Sequence, residues 1–548
     1  MAERGRFRHL AFARRAVPWL PILAFVAAVI AVPSAFVFAS SLEAAGGLPA
    51  LSATVSDPLN RLALQNSFEQ GALSAVLAGA VGYPAGVALG RFDFPGRRSI
   101  RSFLLIPFLL PTLVVLLGFQ VLYGPDGWLS GPLPALGALG RGLAGVVGVN
   151  VYFDASVVAL LTATAIEGSS RELEEAVAVL GGPPRRAYRE VWGPPSWVGA
   201  GAGMLLTFLL SALAFAQPLV VCGARCYTVE VRVWALAETL GDPASAGVLA
   251  LVAVALFTVP MVLYLWASRA FRGRGARRVR SARPLRRNDP ASWAAAAYLT
   301  IFVAAIGLLL VAVAARAVAP PSVGGGSAAW SALVSGALSA RLGFSTGAAV
   351  ANTLFYATAA ALLTVLLAVT TAYAVRASEG SSAWVEYVLF LPLLISPILL
   401  AFGLASFWRP ELGEASSTWL LILLSQAAVA LPFAVRSLRL ALLRLGRGPW
   451  EAARVLGRAP FDAHLDVELP RLRAGLVGSV LFAFAIGLGE FTATYFLVLP
   501  QYTTVPVELL RLESLRLGGV ADALAGLLLA LCLLTFLAIE WGGRRIEL

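Results

Sequence analysis

The chain has 548 residues, 59% of them hydrophobic and 13% charged, with a mean hydropathy of +0.81 and a formal net charge of +12. Soluble domains run at about 45–50% apolar and about 25% charged, so the chain has too little polar surface for a soluble fold of its size. With no lysine, two histidines and three scattered cysteines, it offers neither the Gly-Lys pair of a nucleotide-binding P-loop nor a spaced metal site. No soluble basic module of the kind that binds nucleic acid is present either.

Apolar runs of roughly 20 residues recur along the chain, and a helix rising 1.5 Å per residue needs about that many to cross a bilayer. In chain order they predict twelve spans, near 17–40, 68–90, 102–123, 146–166, 197–221, 246–268, 293–315, 347–375, 384–408, 418–437, 474–499 and 522–541. The fold class is therefore all-α and polytopic, since barrels show short alternating segments instead. The first run follows Arg4, Arg6, Arg8, Arg14 and Arg15, as in a signal peptide. It continues from Val17 to Ser40 without a small-x-small cleavage site and is read as a retained span.

Arginine sets the orientation. With the N-terminus inside and the sides alternating, 33 of the 42 arginines fall in cytoplasmic segments, so the positive-inside rule places both termini in the cytoplasm. Nine of them crowd into 269–292, a polar linker near the middle of the chain. The predicted organisation is a cytoplasmic end 1–16, a six-span half 17–268, the linker 269–292, a second half 293–541 and a cytoplasmic end 542–548.

The halves repeat. Asn66-Ser67-Phe68 is echoed by Asn352-Thr353-Leu354, the Leu105–Pro111 stretch by Leu391–Pro397, and Tyr227-Thr228-Val229 loosely by Thr503-Thr504-Val505. The clearest echo lies in the cytoplasmic segments 167–196 and 438–473. Glu175, Ala176, Gly181 and Pro194 superpose on Glu451, Ala452, Gly457 and Pro470 at a constant shift of 276, with Ala453 completing a Glu-Ala-Ala triplet in the second copy. Acidic residues favour a helix start there, Gly181 and Gly457 favour a stop, and Pro183, Pro184 and Pro460 forbid simple continuation. The shape implied is helix, sharp bend, helix. Six spans per half give both copies the same side and a parallel pseudo-two-fold relation.

Glu-Ala-Ala, three residues, Gly, nine residues, a β-branched residue, one residue and Leu-Pro resembles the Glu-Ala-Ala loop of ATP-binding-cassette (ABC) importer permeases. The second copy matches throughout, with Val467 in place of Ile at the β-branched position; the first departs at Val177 and Gly193. Two copies in one chain resemble the fused branch that includes thiamine and iron(III) permeases, and the resemblance covers both halves. Arg91–Arg97, Pro107 with Pro111, and Tyr123–Leu129 lean more weakly toward the thiamine type. The resemblance implies a type I importer-like fold in the cell membrane, with Glu175, Ala176, Gly181, Pro194, Glu451, Ala452, Ala453, Gly457 and Pro470 in loops that dock two copies of a cytoplasmic ATPase subunit. It also implies an extracytoplasmic solute-binding protein. The chain itself would be no enzyme and would carry no cofactor.

Two polar groups inside spans, Glu490 and Gln217, are candidates for the translocation path or for helix–helix hydrogen bonding. Trp128, Trp330 and Tyr502 suit interfacial anchoring. Cys222 and Cys226 can be free or paired. An ion-driven secondary transporter is the alternative of a different class, but it would want several deep acidic residues and would leave the duplicated loops without a role.

Overall fold

The computed structural model describes residues 17–125, 127–222, 226–272, 283–285, 288–320, 325–335, 345–377, 391–392, 394–446 and 448–546. The expected N-terminal segment 1–16 and half of the linker 269–292 lie outside the described residues, as do 547–548. The described chain is helical, apart from one parallel pairing of two-residue strands, β1 (Phe92–Asp93) and β2 (Arg283–Pro284).

Among the described residues, nine helices are long and apolar enough to cross a bilayer, and eleven if each of two bent helix pairs is one span. They fall where the apolar runs predict. For the ninth expected span, helix Pro397–Leu412 is present, while 384–390 lie outside the described residues. The spans are not all straight. The third span bends by 100° between Leu109 and Thr112. Pro111 brings no N–H and forces Leu110 into an extended conformation, so the helix cannot pass through.

The fifth and eleventh spans are also interrupted, and at matching places. Helix Gly193–Ala212 stops before 213–215, and helix Leu469–Gly489 stops before 490–491. Phe215 and Phe491, related by the same shift of 276, are buried at the two interruptions. Beyond the first, Cys222 and Cys226 stand with Cα atoms 5.4 Å apart and are disulfide-paired.

Contacts sort the chain into two compact units, and their membership is not that of the sequence halves. One unit holds residues up to 39 with 327–520 and 527–548; the other holds 40–326 with 521–526. Within the first unit, the first span helix packs through Phe36 on Phe407, with ring centroids 5.4 Å apart, and the Ala28 carbonyl accepts from Trp408 Nε1 at 3.0 Å. Within the second unit, the seventh span Pro290–Val318 completes a core of Ala85, Leu89, Leu104, Val158 and Ala163 with its own Leu299, Phe302 and Ile306. Tyr298 donates to the Val81 carbonyl at 2.7 Å. Spans two and four approach so closely that a Cβ on Gly82 would lie 2.4 Å from the Ala155 carbonyl oxygen, the small-residue contact that membrane helices favour where apolar burial gives no drive.

The Asn-Ser and Asn-Thr echoes are the same clamp built twice. Asn66 Nδ2 donates to the Tyr227 carbonyl at 2.9 Å, and Asn352 Nδ2 to the Thr503 carbonyl at 2.9 Å. The Val229 N–H donates to Ser67 Oγ at 2.9 Å, and the Val505 N–H to Thr353 Oγ1 at 2.9 Å. Each clamp ties the segment after an interrupted span to the start of that half's second helix. Ser67→Ala and Thr353→Ala each leave a buried amide without its acceptor, at a cost of about 1–3 kcal/mol. Denaturant melts in detergent should show similar losses of stability for the two variants.

Candidate functional site

The two polar loops have one architecture in strict register. Helix Arg171–Val179 begins at Ser170, whose hydroxyl accepts from the Leu173 N–H at 3.3 Å, with Glu172 and Glu174 in its first turn. It ends at Gly181, in the left-handed conformation at φ +70°, where the Gly182 N–H returns to the Val177 carbonyl at 2.8 Å. Its counterpart Gly448–Val455 ends at Gly457, φ +89°, where the Arg458 N–H returns to the Ala453 carbonyl at 3.1 Å. Short turns Pro184–Ala187 and Pro460–Ala463 follow, then π-helical turns Tyr188–Trp192 and His464–Glu468, then the long helices opened by Pro194 and Pro470. Each of these starting points differs by 276.

The glycines are needed for conformation and not for space. A Cβ at Gly181 or Gly457 would meet nothing within 4 Å, whereas a left-handed φ strains any residue that carries one. Glu175, Ala176, Glu451 and Ala452 are exposed; Ala453 is buried and Val177 half-buried, so the triplet's third position faces the protein.

Sequence reasoning missed the most exposed groups. Val179 and Leu180 are 87% and 80% exposed, and Val455 and Leu456 are 87% and 84% exposed. They sit just before each glycine, so the turn that glycine permits lifts a Val-Leu pair off the protein twice. Each turn thus presents a pair of exposed apolar side chains with Glu and Arg around them. The signal was available: Val-Leu-Gly recurs at the same shift as the acidic residues.

The bases of the two knuckles use one pair of positions in opposite ways. Glu174 and Trp192 of the first loop correspond to Trp450 and Glu468 of the second. In the first, Arg91 joins the pair: its guanidinium donates to both Glu174 oxygens at 2.8 and 2.7 Å and lies 4.3 Å from the centre of the Trp192 ring. In the second, His464 joins them: its ring stacks on Trp450 at 5.4 Å, and Nδ1 lies 2.5 Å from Glu468 Oε2. Tyr373 abuts the same histidine edge-on at 5.0 Å. Tyr188, at the position of His464, instead accepts from Trp197 Nε1 at 2.7 Å, and Trp197 stacks on Tyr83 at 4.5 Å.

Glu490 is buried as the cap of the short helix Thr492–Leu497, accepting from Ala493 N–H at 2.8 Å, Thr494 N–H at 3.1 Å and Thr494 Oγ1 at 2.5 Å. Gln217 is half-buried just past the interruption of the fifth span and does not share Glu490's register; Ala214 does. A second intramembrane carboxylate escaped the sequence reading. Asp154 accepts from Ser211 Oγ at 3.2 Å, while the Ser211 carbonyl accepts from Gln70 Nε2 at 2.6 Å. Asn150 joins Ser74 close by, at 3.2 Å. An Asp inside the apolar run 146–166 was the available signal. A cavity of about 560 Å³ beside Leu73, Phe119, Val147, Tyr152 and Phe302 is lined almost wholly by apolar groups.

No known family profile matches the chain. Individual proteins do. The thiamine transport system permease protein of Brucella abortus is 27% identical over 511 residues, covering 90% of each chain. The probable molybdenum ABC transporter permease protein of Haloferax volcanii is 32% identical over 230 residues, 42% of this chain and 81% of the relative. The molybdenum transport system permease protein of Escherichia coli is 31% identical over 186 residues, 31% of this chain and 81% of the relative.

Gly181→Ala and Gly457→Ala should each destabilise the local turn by about 1–2 kcal/mol, and the Asn variants by less, because Asn tolerates the left-handed conformation. Amide exchange of the Gly182 and Arg458 N–H groups, which close the two turns, should accelerate accordingly.

Proposed function

Since the chain belongs to the ABC transporter permease family, as a fused importer permease carrying both permease halves, we propose that its two knuckles dock a pair of cytoplasmic ATPase subunits. In this reading the halves 17–268 and 293–541, joined through 269–292, lie in the cell membrane with 1–16 and 542–548 inside. An extracytoplasmic binding protein delivers solute to the outer face. Glu175, Ala176, Gly181, Pro194, Glu451, Ala452, Ala453, Gly457 and Pro470 build the docking loops, and Val179, Leu180, Val455 and Leu456 are their contact points. The observation that carries the proposal is the Val-Leu-Gly turn presented twice, in register, on a chain that has no lysine for a P-loop of its own.

ATP binding in the partner would close its two subunits and move both knuckles together. Each knuckle leads through a π-helical turn into a long helix, so displacement of the turn is carried into the span. The proposed translocation path includes Glu490, through the short helix that it caps, and Gln217.

Thiamine is the proposed solute. The thiamine permease relative aligns along both halves, whereas the molybdenum permease relatives align with less than half of the chain. Calorimetry on the binding protein encoded beside this chain should show thiamine binding; selective binding of molybdate would overturn the choice of substrate.

The docking assignment has its own test. Leu180→Asp together with Leu456→Asp should remove the ATPase subunit from a pulldown while membrane insertion persists. A bulky residue at Gly457 should abolish uptake. Normal transport in either variant would sink the assignment.

A further inference from the structure

We infer that residues 283–285, in the segment joining the two halves, strap the first docking loop, with Arg283 and Arg91 as positioning residues that act through Glu174. The inference rests on the proposed docking role of that loop. Glu174 is 4% exposed on a helix whose other carboxylates are open to solvent. Its Oε1 accepts from Arg91 Nη2 at 2.7 Å and from Arg283 Nη2 at 2.5 Å, and its Oε2 accepts from Arg91 Nη1 at 2.8 Å. Arg91 ends the second span; Arg283 belongs to the joining segment, 109 residues beyond Glu174.

Backbone pairing delivers Arg283 to this point. β2 runs parallel to β1, with Phe92 opposite Arg283 and Asp93 opposite Pro284, and the Leu285 N–H continues toward the Asp93 carbonyl at 3.4 Å. β1 follows Arg91 directly, so the two guanidiniums arrive from adjacent strands. Four residues past Leu285 the chain reaches Asp289, which caps the seventh span by accepting from Ala291 N–H at 3.1 Å and Ser292 Oγ at 2.8 Å. The Ser292 hydroxyl and the Ala291 amide hold the Asp289 carboxyl below its ordinary range. That span packs on the core of this same unit.

Glu174 is thus a junction of three segments: the first docking helix, the end of span two and the approach to span seven. Two guanidiniums share one carboxylate, so neither stays placed if the loop withdraws it, and the loop is held against both spans in return. Among the described residues the second loop shows no such pair of guanidiniums on one carboxylate. Trp450 stands at Glu174's position, and its junction is made from His464, Glu468 and Tyr373. A pull on the first loop is therefore passed to spans two and seven together.

The test uses the complete transporter in proteoliposomes, with permease, ATPase subunits and binding protein, measuring solute uptake and phosphate release together. Arg283→Ala should lower solute moved per ATP hydrolysed by about fivefold. Arg283→Lys should restore more than half of the ratio, and Arg283→Glu, which sets two carboxylates together, should be no better than Ala. Co-purification of the ATPase and the melting temperature should be unchanged, because Arg283 is half-exposed. A wild-type ratio in both the Ala and Glu variants overturns the strap, as does a proportional fall of uptake and hydrolysis that keeps the ratio. Failure of the unaltered chain to retain any ATPase subunit would overturn the docking proposal instead.

Discussion

In hydrocarbon an unpaired backbone amide or carbonyl costs several kcal/mol, so a spanning helix is interrupted only where protein or a wet cavity covers the gap. This chain interrupts its fifth and eleventh spans at the same register and buries a phenylalanine at each gap. In the second, a glutamate takes up the amides that the broken helix frees. Everything on either side is arranged around those gaps. Upstream of each, a knuckle, a π-helical turn and a long helix follow one another without a loose residue. Downstream, an Asn and a Ser or Thr clamp the returning backbone. Each unit therefore contains one line of pieces from exposed turn to clamp, with a single break in its long helix between them.

The duplication is faithful in backbone and free in chemistry. Turn boundaries match residue for residue, yet an acid and a tryptophan exchange places across the loop base, and an arginine in one copy does the work of a histidine in the other. The requirement is a cationic or polar group held between a carboxylate and an indole, and either order meets it. A buried carboxylate is stabilising only while a guanidinium stays bonded to it. An imidazole packed between an indole and a phenol depends more on shape.

Much of this was legible in the sequence. Apolar runs placed the spans, glycine and proline placed the turns, and a fixed shift tied the halves together. The signals are local, which is why they could be read. What stayed hidden depends on distance in space. Nothing in the spacing of Glu174 and Arg283 announces that they meet. The interruptions at 213–215 and 490–491 lie inside strongly apolar stretches, where hydropathy is blind to backbone direction. The exposed Val-Leu pairs were passed over because apolar residues in an apolar chain attract no notice until their surroundings are known. The bend at Pro111 could have been anticipated from proline's missing amide.

The composition of the two units bears on how the protein is made. The unit rich in first-half helices draws Leu299, Phe302 and Ile306 from the seventh span, which is synthesised only after six spans and the joining segment. The first span ends up grouped with helices of 327–520, synthesised well after it. Chains generally fold from the N-terminus as they emerge, but here neither unit can close its core until the ribosome has passed the midpoint. Early spans must wait in the membrane with faces uncovered, and premature pairing with a neighbouring chain is the hazard. Carrying both halves on one polypeptide raises their effective concentration for each other and shortens that interval.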